Sequence, residues 1–438
     1  MGDRPGMDSM NVASSVADRV PILALLESFS RSLDLVSPTL LDHHRKTAWL
    51  SHRIAHAGGL RGFELRTVVF AALLHDIGCL SLAERFRCLE FESSFDEVER
   101  GEHAEVGYHL LREFEPFDEI ANVVRHQHRR WDAGDRGPDD GPVPAGSHAL
   151  HLADRIAVCL LDAAESGPSL RDEIRRRVEG QRGKMFHPDF AQAFLDSSDD
   201  WDWPDLARHD APSLGGEDLP GRSMRLGDAE LRALARLFSR IIDFRSLHTA
   251  THSSGVAATG EILARLAGFS EIDCGRMFIA GLLHDLGKIA IPTELLDKPG
   301  RLTPEEYEIV KSHAAFTDRI VAPLGELGGI RAWAAEHHER SDGKGYPRGL
   351  SDSEITAGGK VLAVADVFTA LTEGRPYRRG LTLEEALREI AIMGAAGELD
   401  RSVVSVVFAN CGAIEEARST SQALARAEYD EFRRRAGL

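Results

Sequence analysis

Residue types that bind metal ions surround two adjacent residues, His284 and Asp285, which follow the apolar run FIAGLL. Because this run is too continuous for a surface helix, it predicts a buried helix that carries an imidazole and a carboxylate at its end. Gly287 is predicted to break that helix. A single buried histidine is more often a packed core residue than a ligand, so the pair alone leaves both interpretations open.

Other residues that can bind a metal lie on both sides of this pair. They are His252, His313, His337, His338 and Asp366, with Lys288 close by. Imidazole and carboxylate together suit Fe, Mn or Zn, and the absence of cysteine from the set argues against a structural zinc site. Adjacent residues of a helix point about 100° apart, so each of the pairs His284–Asp285 and His337–His338 can serve two ions. The set therefore predicts a dinuclear metal site.

The motifs that contain these residues resemble the HD-GYP branch of the HD metal-dependent phosphohydrolases. In chain order the motifs are HSSGV at His252, HDLGK at His284, KSH ending at His313, HHERSDGKGYP at His337, VADVF around Asp366 and RPYR from Arg375. The HD dipeptide alone is a weak signal, but the long ungapped HHERSDGKGYP is specific. The resemblance covers most of the C-terminal half. It implies an all-helical bundle and cyclic dinucleotide substrates, chiefly cyclic di-GMP.

The resemblance also implies a role for each matching residue. Asp285 would bridge the metal ions and Lys288 would contact the scissile phosphate, so both are predicted catalytic residues. The metal ligands would be His252, His284, Asp285, His313, His337, His338 and Asp366. The substrate contacts would be Lys344, Gly345, Tyr346, Pro347, Arg375 and Arg378. Attack by a metal-bridged hydroxide on cyclic di-GMP would give pGpG, and further hydrolysis would give GMP.

His248 leaves the number of metal ions open. It lies four residues before His252 and therefore on the same helical face. Members of the family with a third metal have a glutamate at this position, and a histidine can also bind a metal. The alternative is a histidine that supports a ligand or faces solvent. We therefore expect two or three divalent ions, Fe or Mn.

The N-terminal half repeats the same pattern of residues. The run VVFAALLHDIG contains His75 and Asp76, which lie 209 residues before His284 and Asp285. The candidate metal-binding residues of this copy are His43, His75, Asp76, His103, His126, His128 and Asp154. His126 is included as a substitute because Gln127 stands at the position of His337. Cys79 replaces Lys288 and the GYP loop is absent, so we predict a divergent HD domain that is regulatory or structural, with metal binding left open.

The fold class follows from the helical patterning and the scarcity of strand signals. At 438 residues the chain can form two or three domains. We predict an all-α protein with two tandem HD-type helical bundles. The predicted segments are a flexible lead-in (1–19), a divergent HD domain (20–206), a linker (207–224), an HD-GYP domain (225–412) and a C-terminal helix (413–438). Capping residues predict helix starts at Thr303 and Thr382.

Charge and composition exclude some partners. The net charge of −18 argues against binding to a nucleic-acid polymer or to an anionic membrane, both of which need a basic surface. The sequence contains neither an apolar run of membrane-spanning length nor a secretory signal at its start, which predicts a cytoplasmic protein. Its five cysteines are scattered, and we expect reduced core residues. The charged tail is predicted to be a solvated amphipathic helix, with a homodimer contact as the alternative.

Three functions are compatible with this pattern. The first is a cyclic di-GMP phosphodiesterase. The second is a phosphodiesterase of cyclic GMP-AMP or a general HD nucleotidase, although the GYP loop argues against the nucleotidase. The third is an adaptor that binds a cyclic dinucleotide or signalling proteins without turnover. The complete ligand set and Lys288 favour an enzyme.

Overall fold

Apolar residues at helical spacing fold most of the chain into α-helices. The structure is a computed structural model that describes residues 20–35, 42–79, 81, 84, 87, 102–137, 141–161, 169–208, 211–212, 214, 219, 221–245, 250–325, 327–374 and 379–437. In the N-terminal half the helices are α1 (Ile22–Asp34), α2 (His43–Ala57), α3 (Gly62–Leu74), α4 (Glu102–Leu111), α5 (Asp118–Arg125), α6 (Ala145–Leu161), α7 (Ser169–Gln181), α8 (Pro188–Ser197) and α9 (Trp203–Arg208). In the C-terminal half they are α10 (Asp228–Asp243), α11 (His252–Leu266), α12 (Glu271–Leu283), α13 (Thr293–Leu296), α14 (Pro304–Ile320), α15 (Ile330–Glu336), α16 (Ala357–Thr372), α17 (Leu383–Ala396) and α18 (Arg401–Ala436).

The predicted all-α fold is confirmed. Among the described residues, the extended strands are limited to β1 (Val20–Pro21) and β2 (Arg225–Leu226), which pair antiparallel. This short ribbon joins the beginning of the first bundle to the beginning of the second. We use first repeat for residues 20–206 and second repeat for residues 225–412.

The two repeats contain the same arrangement of helices. α11 and α12 have the lengths and spacing of α2 and α3, displaced by 209 residues. α2 packs against α3 and α6, and α11 packs against the equivalent helices, α12 and α16. Each central pair ends at an HD dipeptide, because α3 stops one residue before His75 and α12 stops one residue before His284.

A glycine two residues after each HD aspartate brings the central pair close to a neighbouring helix. A Cβ atom at Gly78 would lie 2.0 Å from the carbonyl oxygen of His103, and one at Gly287 would lie 2.0 Å from the carbonyl oxygen of His313. No side chain fits in that space. The glycine of the HD-x-G motif is therefore needed for the close approach that places a further histidine beside the HD pair.

The repeats pack against each other through α1 and α10, which are equivalent helices. Phe29 of α1 and Phe238 of α10 also lie 209 residues apart, and their rings stack at a centroid distance of 4.3 Å. α1 contacts α14 of the second repeat, and α10 contacts α4 of the first repeat. The interface is therefore approximately two-fold symmetric, and one continuous apolar core extends across it.

The predicted helix starts are confirmed at both capping residues. Thr303 accepts a hydrogen bond from the backbone N–H of Glu306, and the Glu306 carboxylate accepts one from the backbone N–H of Thr303. Thr382 and Glu385 form the same reciprocal pair. These caps satisfy N–H groups that the first turn of a helix leaves unpaired.

The segment predicted as a linker packs against the first repeat. Ala211, Leu214 and Leu219 are buried, and the backbone of Ala211 is hydrogen-bonded to Asp42 and Arg45. Just before this segment, the indole of Trp201 contacts that of Trp49 edge-to-face and so packs on the first repeat. The described part of residues 207–224 therefore packs on the first repeat.

The C-terminal tail belongs to a long helix that packs within the chain. α18 runs from Arg401 to Ala436 with a kink at Asn410, and so crosses the predicted boundary between residues 412 and 413. Tyr429 and Phe432 of this helix are buried against Phe244. Part of the apolar face that the prediction left to solvent or to a dimer contact is thus covered by α11 and by α4 of the first repeat, whereas Leu424 stays exposed.

None of the described helices combines the length and the hydrophobicity needed to cross a lipid bilayer. The described cysteines Cys79, Cys159, Cys274 and Cys411 are not in disulfide bonds. The first three are buried, as predicted, whereas Cys411 is only partly buried.

Candidate metal centre

Two histidines and a carboxylate form the inner part of the cluster in the second repeat. His252 begins α11, His284 follows α12, and Asp366 lies in α16. The Nε2 atoms of His252 and His284 lie 3.2 Å and 3.8 Å from Oδ1 of Asp366. All three side chains are buried, and their donor atoms lie within 4.8 Å of one another. This spacing allows one metal ion to contact all three.

Three further histidines form a second group next to the first. His313 of α14, together with His337 and His338 after α15, have donor atoms within 4.8 Å of one another. The Nε2 atoms of His313 and His337 are 3.3 Å apart. Nδ1 of His338 lies 3.6 Å from Oδ2 of Asp366, whose other oxygen faces the inner group.

Asp285 lies between the two groups. Its Oδ2 is 3.2 Å from Nε2 of His284, and its Oδ1 is 3.4 Å from Nε2 of His313. One carboxylate oxygen therefore faces each group. This is the geometry that a bridging ligand requires, and it arises because the aspartate directly follows the C-terminal end of α12.

Hydrogen bonds on the outer side of the rings orient the histidines. The Nδ1–H groups of His284, His313 and His337 donate to backbone carbonyls three residues earlier, at distances of 2.7, 2.6 and 2.7 Å. Each bond leaves the lone pair of Nε2 directed into the cluster. Metal-binding histidines in proteins are usually held by a bond of this kind.

The burial of these residues and the charge states of His313 and Asp285 fit a site for divalent cations. Nε2 of His284 and Oδ1 of Asp285 are buried and have no hydrogen-bond partner among the described residues. Burial lowers the pKa of His313 to about 3, which keeps its imidazole neutral at neutral pH. Burial acts to raise the pKa of Asp285, but His284 and Lys288 hold that pKa well below its usual range. Neutral imidazoles and ionised carboxylates are the forms that bind metal ions.

Glu373 supports His252 and was missed in the sequence analysis. Its Oε2 accepts a hydrogen bond of 2.9 Å from Nδ1 of His252, where His284, His313 and His337 use a backbone carbonyl. Gln422 of α18 and Thr251 donate to the other carboxylate oxygen. The tail helix is therefore connected to the metal-binding cluster. Glu373 has no motif of its own, and its only sequence signal is its place seven residues after Asp366.

A second missed residue, Asp243, lies behind α11. Its Oδ1 accepts a 2.9 Å hydrogen bond from the hydroxyl of Ser253, next to His252. Burial raises the pKa of Asp243 to about 7. In the first repeat, 209 residues earlier, Asp34 instead forms a 2.5 Å contact with the imidazole of His44. The repeat offset of 209 could have revealed both aspartates from the sequence.

Lys288 lies at the edge of the cluster. Its Nζ donates a 2.6 Å hydrogen bond to Oδ2 of Asp285, and its side chain is 21% exposed. It follows Asp285 by three residues in a short 3₁₀ helix that spans Leu286–Ala290. The ammonium group is therefore positioned between the buried carboxylate and solvent.

The loop after His338 folds back over the cluster. The Glu339 carboxylate accepts backbone hydrogen bonds from Arg348 and Leu350, which closes the loop. A Cβ atom at Gly345 would lie 2.3 Å from the backbone nitrogen of Arg340, so only glycine fits at this position. The ring of Tyr346 lies 4.7 Å from the imidazole of His338, centroid to centroid. The loop thus places an aromatic ring at the metal-binding side chains.

The structure brings only part of the predicted substrate set to the cluster. Tyr346 and its neighbours Gly345 and Pro347 are partly buried beside it. Lys344 points outward, with 79% of its side chain exposed and its Nζ 3.9 Å from Oδ2 of Asp342. The predicted third-metal ligand His248 and the predicted phosphate contacts Arg375 and Arg378 lie outside the described residues.

The first repeat contains a cluster of related composition. His43 and His75 each place Nε2 3.3 Å from Oδ1 of Asp154, and Nε2 of His75 is also 3.3 Å from Oδ2 of Asp76. Nε2 of His103 is 3.7 Å from Oδ1 of Asp76. The first-repeat aspartate therefore lies between two groups, as Asp285 does.

His126 does not take the position predicted for it. Its Nδ1 donates to the carbonyl of Asn122 at 2.8 Å, and its Nε2 lies against Gly137, where a Cβ atom would be 2.2 Å away. The ring therefore faces the loop after α5, because the preceding helical turn fixes its outer nitrogen. His128 instead approaches the cluster, with its Nε2 2.9 Å from Nε2 of His103.

Comparisons with known proteins agree with the duplicated architecture. The HD domain family matches residues 40–159, and a second HD domain family matches residues 236–403. The 3′3′-cGAMP-specific phosphodiesterase 1 of Vibrio cholerae is 27% identical over 413 residues, which cover 92% of this chain and 94% of that protein. The 3′3′-cGAMP-specific phosphodiesterase 3 of the same organism is 26% identical, over 84% of this chain and 90% of that protein.

A shorter match has higher identity. A cyclic di-GMP phosphodiesterase of Thermotoga maritima is 42% identical over 158 residues, which cover 35% of this chain and 42% of that protein. Among solved structures, a cyclic GMP-AMP-specific phosphodiesterase of V. cholerae matches with a TM-score of 0.60 and 23% identity, over 89% of this chain and 97% of that chain. The chain belongs to the HD superfamily and carries two HD domains in tandem.

Proposed function

We propose that this protein is a metal-dependent phosphodiesterase that hydrolyses cyclic dinucleotides in its second repeat. The observation that carries the proposal is the position of Asp285, with one carboxylate oxygen facing each of two groups of buried metal-binding residues. Lys288 adds a cation at the exposed edge of this arrangement. Carboxylates and imidazoles that can bind two metal ions, with an ammonium group at their exposed edge, suit the hydrolysis of a phosphodiester.

The metal ligands are His252, His284, Asp285, His313, His337, His338 and Asp366. Their donor atoms are nitrogen and oxygen only, which suits Fe or Mn. When bound, such ions make water nucleophilic at neutral pH and offset negative charge on the phosphoryl oxygens. Asp285 and Asp366 provide the anionic charge that attracts the cations, and the outer hydrogen bonds keep the imidazoles directed inward.

Lys288 and the loop after His338 bind the substrate. The Lys288 ammonium group is within reach of an anion that approaches from solvent, and a fixed positive charge stabilises a phosphoryl group as negative charge builds up on it. Tyr346 presents an aromatic ring to a purine base at the edge of the cluster. Gly345 fixes the loop conformation that brings the ring there. Arg375 and Arg378 are proposed to hold the substrate phosphates.

The first candidate substrate is 3′3′-cyclic GMP-AMP. It is favoured because the relatives that match more than four-fifths of this chain are named as specific for it. Cyclic di-GMP is the second candidate and is favoured by the 42% identity to a cyclic di-GMP phosphodiesterase. Both molecules carry two phosphodiesters and two purines, so the described residues around Asp285 suit either.

The test is turnover of a cyclic dinucleotide panel by full-length protein with a measured metal content. The panel contains 3′3′-cyclic GMP-AMP, cyclic di-GMP and cyclic di-AMP. We expect metal-dependent hydrolysis, fastest for 3′3′-cyclic GMP-AMP, and its loss in Asp285→Asn. Asp318→Asn is the matched control, because Asp318 pairs with Arg331 at the surface, away from the cluster. Tight binding without turnover in folded, metal-loaded protein would contradict the proposal and support an adaptor.

A further inference from the structure

The first repeat contains a thiol at the second group of its cluster. Asp76, Cys79 and His103 are buried, and their ligand atoms lie within 4.8 Å of one another. The Nε2 atom of His128 is 2.9 Å from Nε2 of His103. One carboxylate, one thiol and one imidazole therefore meet at this position, and His128 adds a second imidazole next to that of His103.

This set differs from that of the second repeat by one exchange. Gln127 stands at the position of His337, so the first repeat has no imidazole there. The Gln127 amide instead donates a 3.1 Å hydrogen bond to the carbonyl of His75. Cys79 stands at the position of Lys288 and brings a sulfur atom to the group. One donor is lost and another is gained, and the number of protein donors at this position stays at four.

The neighbouring group also has the features of a cation site. The donor atoms of His43, His75 and Asp154 lie within 4.8 Å of one another, and all three side chains are almost completely buried. Oδ1 of Asp154 lies 3.3 Å from Nε2 of each histidine. A buried ionised carboxylate is costly unless a cation pairs with it, and a bound metal ion would provide that pairing.

We propose that the first repeat binds a metal ion through Cys79, Asp76, His103 and His128, and that this site selects zinc. A thiolate favours a softer cation than the nitrogen and oxygen donors of the second repeat, and four protein ligands complete the tetrahedral coordination of zinc. A zinc ion with four protein ligands has no open position for substrate. The first-repeat site is therefore structural, and this inference does not depend on which substrate the second repeat hydrolyses.

Cobalt substitution tests the proposed Cys79 ligand. Full-length protein is stripped with a chelator and reloaded with Co²⁺, whose bond to a thiolate gives a charge-transfer absorption in the near ultraviolet. We expect this band in the native protein, its loss in Cys79→Ser and its retention in Cys159→Ser, which alters a buried cysteine in α6 of the same repeat. Folding of each variant is checked by circular dichroism. No band in the native protein, or an unchanged band in Cys79→Ser, would overturn the proposal.

A measurement on the native chain avoids any folding defect of the variants. X-ray absorption of zinc-loaded protein should show a sulfur neighbour at about 2.3 Å. A spectrum with only nitrogen and oxygen neighbours would reject Cys79 as a ligand. The double variant Cys79→Lys with Gln127→His copies the second repeat, and it should lose the sulfur signal.

Discussion

The two repeats hold equivalent inner triads of metal-binding residues but support them differently. In the second repeat Nδ1 of His252 donates to Glu373. In the first repeat Nδ1 of the equivalent His43 is buried without a hydrogen-bond partner among the described residues. Leu161, seven residues after Asp154, occupies the sequence position that Glu373 has relative to Asp366. The helices that position the triad are therefore duplicated, whereas a carboxylate that orients its first histidine is present, among the residues that the structure describes, in the second repeat alone.

The outer parts of the clusters differ more. The second repeat adds Lys288 and a loop that places Tyr346 on His338. The first repeat has Cys79 at the lysine position, and its chain after His128 turns through a short 3₁₀ helix, Trp131–Ala133. The comparison teaches that one helical framework can carry two different metal sites. The proposed substrate contacts, Lys288 and Tyr346, lie in the second repeat.

The largest expected effect on stability tests what the repeats share. Gly78→Ala and Gly287→Ala should each destabilise the protein by about 3 kcal/mol, because the new methyl group would overlap a backbone carbonyl in both repeats. Gly275→Ala in α12 is the control, since a Cβ atom there meets nothing within 4 Å. Chemical denaturation measures each free energy of unfolding. A large loss in only one of the two HD glycine variants would show that the repeats are not packed equivalently.

The second prediction tests the difference at Lys288. Lys288→Ala should lower kcat about a hundredfold, because it removes a charge that stabilises the transition state. The metal content should be unchanged, since the lysine is not a ligand. Lys298→Ala removes a similar lysine–carboxylate pair, with Glu306, outside the cluster. Equal activity of Lys288→Ala and Lys298→Ala would contradict the proposed role of Lys288.

A smaller effect is expected at Glu373. Glu373→Gln keeps the size of the side chain but removes the charge that orients His252, so metal affinity of the second repeat should fall about tenfold. Glu354→Gln is the control, because Glu354 is bonded to Ser351 at the surface. Metal titration of each variant measures the affinity. An unchanged affinity in Glu373→Gln would mean that the hydrogen bond from His252 to Glu373 makes no difference between the two inner triads in metal binding.

The sequence predicted the elements that follow from local patterning. Apolar runs located α3 and α12, and capping residues located the starts of α14 and α17. The repeat offset identifies equivalent ligands and also relates Phe29 to Phe238, but the offset alone does not show that these two rings stack at the interface between the repeats. Contacts that depend on the packing of distant helices, such as Gln422 with Glu373, have no local sequence signal. The rotation of His126 away from the cluster likewise became visible only with its neighbours in place.

The central claim is that hydrolysis takes place in the second repeat alone, and paired substitutions of the two HD aspartates test it most directly. Asp285→Asn should lower kcat/KM about a thousandfold, or roughly 4 kcal/mol, because it removes the charge between the two metal-binding groups. Asp76→Asn should lower kcat/KM by less than about tenfold, since the first repeat lacks counterparts of Lys288 and of the loop that carries Tyr346. Loss of turnover in folded Asp76→Asn, with turnover retained in folded Asp285→Asn, would contradict the account.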